Sequence, residues 1–140
     1  MLLLDNSAWS RRTESLVGER LAGLIEAGDV SVCLPFLLEA GYSARSGDDH
    51  AQLFADLGRL QRVEIDPEVE SLVLEAQARL SRVGHHRLAP NDLLIAACAH
   101  KSGAGVLHYD RDYDLIAERT DLRFVSEWVA PAGSLDQTRH

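Results

Sequence analysis

Lysine is nearly absent from this chain. Lys101 is its only one, and the remaining permanently charged cations are arginines. Cysteine occurs twice, as Cys33 and Cys98, each flanked by apolar residues, which excludes a disulfide-stapled scaffold and suits inert buried thiols. No apolar run is long enough to span a bilayer, and the opening Met1 to Leu4 is stopped by Asp5 with no basic stretch ahead of it. A cytoplasmic location is expected. Net positive charge is lacking too: the formal charge is −8 and the pI near 5.1, which argues against phosphate-backbone binding through an ordinary basic face. Internal repeats, linkers and low-complexity tracts are missing, so the 140 residues are read as one domain over 1–129. The stretch from Ala130 to His140 mixes Pro, Gly and Ser with polar residues and is expected to be a flexible tail.

What is present is an alternation of short apolar runs and amphipathic stretches. The strand expectations are Met1–Leu4, Val30–Leu34, Val63–Ile65, Gly105–Tyr109 and Leu122–Val125. Between them, Thr13 is placed to cap a helix ended by Gly28, Pro35 to open one reaching Ser46, and Asp48 to start another reaching Arg62. Pro67 opens an amphipathic helix, and Leu93 to Ala99 are apolar all round, as in a helix buried on most sides. Alternation over the whole length gives a three-layer α/β/α domain around a central, mainly parallel sheet of four to five strands.

Four isolated carboxylates stand out against that frame. Asp5 closes the first strand, Glu39 interrupts the apolar run Pro35 to Leu38, Asp92 opens the apolar helix, and Asp110 follows the fourth strand. Taken singly, Asp5 and Asp110 suit turns, and Asp92 suits a helix N-terminus with Asn91 as its cap. Glu39 has no such bland account, because a charge on so apolar a helix must find a partner, water or a metal. In open parallel sheets, ligands sit beyond the carboxyl ends of the strands, where these groups converge. Such hard oxygen donors suit Mg2+ or Mn2+, and two such ions would offset half of the net charge.

The motifs Leu3-Leu4-Asp5-Asn6-Ser7-Ala8-Trp9, Glu39 after the second strand, Asn91-Asp92-Leu93-Leu94-Ile95-Ala96-Ala97 and Tyr109-Asp110-Arg111-Asp112-Tyr113-Asp114 resemble, in order, those of a PIN domain. Within that family the chain looks like the toxin of a VapBC-type toxin–antitoxin pair. The resemblance implies a metal-dependent endoribonuclease that cleaves RNA by two-metal phosphodiester hydrolysis. Asp5, Glu39, Asp92 and Asp110 would be the catalytic carboxylates, and Asp5, Asp92, Asp110 and Asp112 the metal ligands, Asp112 either as a fifth ligand or as a group behind the others. Asn6, Ser7 and Asn91 would support them from behind. Arg11, Arg12, Arg87 and Arg111 border the expected cleft and are candidates for RNA phosphates, whereas His85 and His86 are read as part of a solvated loop. A cognate VapB-like antitoxin and a homodimer are also implied, with Phe36, Leu37, Tyr42, Leu53, Phe54 and Leu57 as a possible groove. One departure is His108, where many relatives carry a small hydroxyl residue.

Two competing enzyme readings fit less well. A haloacid-dehalogenase-like phosphatase wants a second aspartate where Ser7 stands, and a receiver-like domain wants a lysine at a late strand end, whereas Lys101 lies on a helix. A non-catalytic RNA- or protein-binding module is the alternative from another class.

Overall fold

The computed structural model describes residues 1–85 and 87–136. Strands β1 (Leu2–Leu4), β2 (Val30–Cys33), β3 (Gln61–Val63), β4 (Gly105–His108) and β5 (Ser126–Trp128) form one wholly parallel sheet in the order β3-β2-β1-β4-β5. The helices are α1 (Asn6–Trp9), α2 (Ser15–Glu26), α3 (Leu34–Tyr42), α4 (Gly47–Leu57), α5 (Pro67–Ser81), α6 (Pro90–Ser102) and α7 (Asp112–Arg119). From β1 the chain builds outward through β2 to β3, then returns to the other side of β1 to lay down β4 and β5. The reversal between β1 and β4 creates a crevice at their carboxyl ends, and Asp5 and Asp110 stand on its two sides.

The sheet is buried through its middle: every residue of β2 and β4 is inaccessible, as expected of strands covered on both faces. Helix α6 is the other half of the core. Its Leu93, Ile95, Ala96, Ala97, Cys98 and Ala99 are all buried against α3, α5, α7 and the central strands. Gly103 ends it in the left-handed region at φ 71°, where a side chain would be strained. Asp66 caps α5 by accepting from Val69 N–H at 2.9 Å, and Lys101 at the far end of α6 pairs with Asp66 and Glu68. Among the described residues no helix is long and apolar enough to cross a membrane.

Several boundaries differ from the sequence expectation. Glu14 rather than Thr13 precedes α2, and α4 stops at Leu57, which frees Gln61 and Arg62 for an exposed edge strand that ends at Val63 instead of beginning there. The last strand lies at 126–128, not 122–125. Leu122 is buried and Phe124 packs edge-on against Tyr113, but the ladder forms where Ser126 Oγ and Trp128 Nε1 both donate to Asp114, at 2.6 and 3.0 Å. Of the stretch beyond Ala130, the part to Asp136 folds back in turns, with Leu135 N–H donating to the Tyr109 hydroxyl at 2.9 Å. Residues 137–140 lie outside the described residues.

Candidate active site

Asp5 leaves β1 in extended conformation and caps the single turn of α1, a helix the sequence pattern misses. Its Oδ2 accepts from Ser7 N–H at 3.0 Å and from Ser7 Oγ at 2.5 Å. Ser7 Oγ in turn accepts from Tyr109 N–H at 2.8 Å, which ties the end of β1 to the end of β4. The bland and the chemical readings of Asp5 are therefore one arrangement, because the cap fixes one oxygen and leaves Oδ1 facing inward.

Oδ1 meets a residue that sequence reasoning passed over. The hydroxyl of Tyr113, a fully buried side chain on α7, donates to Asp5 Oδ1 at 2.7 Å and lies 3.2 Å from Asp92 Oδ1. The one hydroxyl proton is therefore shared, more strongly with Asp5 and more weakly with the Asp92 carboxyl. Burial, the nearby charges of Asp5 and Asp110, and the more distant Glu39 push that carboxyl up to about 7, with the Tyr113 hydrogen bond opposing them. The signal for Tyr113 was in the sequence, as a polar-tipped aromatic three residues after Asp110.

Asp110 stands just beyond β4. Its Oδ1 accepts from Asp112 N–H at 3.0 Å, and its own N–H donates to His108 Nδ1 at 3.0 Å. Because Nδ1 accepts, the proton of the neutral ring sits on Nε2, which donates to Ser126 Oγ at 2.7 Å. Ser126 Oγ passes its own proton to Asp114 at 2.6 Å. Burial holds the His108 pKa below the ordinary imidazole value against the pull of Asp114, Asp5 and Asp110. The ring of this buried histidine also stacks on Tyr113, with centroids 4.9 Å apart.

Glu39, half-buried on α3, accepts from Asn91 Nδ2 at 3.1 Å, and both line a cleft of about 330 Å³ together with Asn6. Glu39 thereby has its partner, and Asn91 supports a neighbouring carboxylate. Asn6 Oδ1 is buried without a hydrogen-bond partner among the described residues. Asp92, Asp110 and Asp112 each offer an oxygen within 4.8 Å of the others. Burial and Asp110 also raise the Asp112 carboxyl. Carboxylates held this close, with at least one driven toward its neutral form, are a donor set that fits a divalent cation.

The arginines separate into different situations. Arg11 is half-buried, donates to Ser7 C=O at 2.8 Å and covers the Tyr109 ring at 4.3 Å, so it braces the β1–β4 junction. Arg12 is exposed and lies over Trp9 at 4.4 Å. Arg87 and Arg111 are exposed on the loop before α6 and at the start of α7. His85 is half-buried, and His86 lies outside the described residues. The groove expected between α3 and α4 is filled: Phe36, Leu37 and Leu57 belong to the core, and Leu53 and Phe54 are packed against it. The apolar face that α3 leaves open is instead Leu34, Leu38 and Tyr42, spaced four residues apart.

Removing only the Tyr113 hydroxyl tests its part in holding the carboxylates. Tyr113→Phe keeps the ring contacts, so the fold is expected to survive while Mn2+ affinity by calorimetric titration falls about 10- to 100-fold. An unchanged isotherm would sink that role.

Residues 2–119 match the PIN domain family. Ribonuclease VapC18 of Mycobacterium tuberculosis is 35% identical over 135 residues, covering 94% of this chain and 97% of that protein. Ribonuclease VapC2 of the same species is 40% identical over 122 residues, covering 84% and 86%. Among solved structures, DNA-bound VapBC from Salmonella typhimurium superimposes with a TM-score of 0.72 at 21% identity, covering 93% of this chain and 100% of the matched chain. With its parallel sheet, its acidic switch point and relatives matched over nearly their full length, the chain belongs to the PIN domain family, among proteins that carry the name VapC.

Proposed function

We propose that this protein is a metal-dependent endoribonuclease acting as the toxin of a toxin–antitoxin pair. The observation that carries the reading is the meeting of Asp5, Asp92, Asp110 and Asp112 at the β1–β4 switch point, with Glu39 across the cleft, in a chain whose relatives are named ribonucleases. Asp92, Asp110 and Asp112, with Asp5, would hold Mg2+ or Mn2+. One or two such ions neutralise phosphate charge and make water a stronger nucleophile at neutral pH.

The chain's own groups do the rest. Ser7 and Tyr113 fix the rotamer of Asp5, and the His108 relay fixes the backbone at Asp110, so the carboxylates need no rearrangement when an ion and a phosphate arrive. Asn91 keeps Glu39 turned toward the cleft, where it is placed to orient an attacking water. The partners that go with this reading are RNA as substrate, a VapB-like antitoxin and a second copy of the chain, in the cytoplasm. The name VapBC borne by the Salmonella typhimurium structure supports the antitoxin.

Incubating purified protein with total RNA and Mn2+ or Mg2+, then mapping new 5′ ends, is expected to give discrete cuts that vanish with chelator. RNA bound tightly but left intact in either metal would favour the non-catalytic module instead.

A further inference from the structure

The cleft holding Glu39 and Asn91 does not end at the carboxylates. Asn6 and Ser43 line both it and a second, larger cavity of about 610 Å³, so the two adjoin and are read as one groove. The lining changes along the way. Near the carboxylates it includes Leu38 and Tyr42, the latter 93% exposed. Further on it becomes polar, lined by Ser10, Thr13 and Ser46 together with Arg12 and Arg45.

Those two arginines bring positive charge to the polar end of the groove. Arg20, Arg79 and Lys101 are held in ion pairs, and Arg11 is taken up by Ser7 and Tyr109. Among the described residues neither Arg12 nor Arg45 is in an ion pair. Arg12 donates to Trp9 C=O through Nη1 and lies over the Trp9 ring, with its side chain exposed. The one carboxylate in the cavity, Asp49, accepts the backbone N–H of Arg45 and belongs to the turn that starts α4. An anionic strand drawn toward a cluster of carboxylates in a chain of charge −8 needs cations flanking that cluster, and this groove supplies them beside an open aromatic ring.

We infer that the groove is the track of a single RNA strand on one side of the scissile phosphate. Arg12 and Arg45 hold backbone phosphates, the hydroxyls lining the groove with them bond phosphate or ribose oxygens, and a base stacks on Tyr42. An aromatic platform beside a cationic channel is how single strands are held without sequence readout. This rests on the ribonuclease reading and adds to it the direction in which substrate leaves the site. A peptide tail is the poorer occupant, because beyond Tyr42 the groove offers no apolar anchor.

The test is binding of a fluorescein-labelled single-stranded RNA 12-mer, by anisotropy across a salt series, to the full chain carrying Asp92→Asn, alongside cleavage of total RNA by the parent. Adding Arg12→Ala and Arg45→Ala together is expected to make the plot of log K against log salt shallower by about 1.4, two lost phosphate contacts on a single strand. Tyr42→Ala is expected to weaken binding at least about fivefold with the slope unchanged. If the parent cleaves RNA and neither change alters binding, the groove is not the track. If the parent neither binds nor cleaves, the ribonuclease reading and the track fall together.

Discussion

Replacing Asp92 by asparagine is expected to bring RNA cleavage below about one hundredth of the parent rate and, at the same time, to raise the thermal midpoint of the metal-free protein. The loss exceeds the roughly 10- to 100-fold seen when a group behind a metal ligand is removed, because Asp92 itself supplies an oxygen to the candidate site. The gain has a separate cause. Asp92 is 8% exposed and faces Asp5 and Asp110, so its ionised form is costly in the folded chain, as its carboxyl pushed up to about 7 indicates. An amide of the same shape carries no charge and can donate to those neighbours. A site that catalyses by concentrating like charge is stabilised by losing it. Unchanged activity in the variant would remove Asp92 from the site; a lowered midpoint in chelator would contradict the electrostatic account.

The pH dependence of that gain is the second large effect. In the unfolded chain Asp92 titrates near the ordinary aspartate value of about 3.9, and in the folded chain at about 7. Between those limits the folded state binds a proton that the unfolded state does not. Stability therefore falls as pH rises through the window, and levels off above it. The full span is on the order of 4 kcal/mol, or roughly 10 °C in midpoint for a domain of this size. His108 acts in the opposite sense, since its lowered pKa means the unfolded chain takes up the proton first as pH drops below about 6.5. The measurement is accordingly the difference between Asp92→Asn and parent, in which His108 cancels. That gap is expected to be small at pH 5, to widen through pH 7 and to close at pH 8 when Mn2+ is added to the parent. A gap independent of pH would show that the variant acts through packing.

Asp5, Asp92 and Asp110 were legible in the sequence because each sits near where an element begins or ends, and Glu39 because it is a charge inside an apolar helix; strand and helix limits around them are set by strong local signals such as Pro35, Pro67, Gly28 and Gly103. Their supports were less so. Tyr113 is joined to Asp5 across the whole chain, and the pairing of Glu39 with Asn91 spans two helices. Neither leaves a periodic trace. The turn α1 is too short for a helical pattern and exists because Asp5 caps it. The shift of β5 has the same origin, since Ser126 and Trp128 are drawn into the sheet by Asp114 on α7 rather than by their own strand propensity.

Lys101 lies nine positions after Asp92 on α6, about 13 Å along the axis. As the chain's one side-chain amine, it is the single side-chain address for amine-reactive dyes or surface coupling, set at the end of the helix opposite the carboxylates. Such a label would leave the acidic cleft open to solution while it opened the clasp of Lys101 on Asp66 and Glu68, so one modification would report on the site and load the α5–α6 joint together.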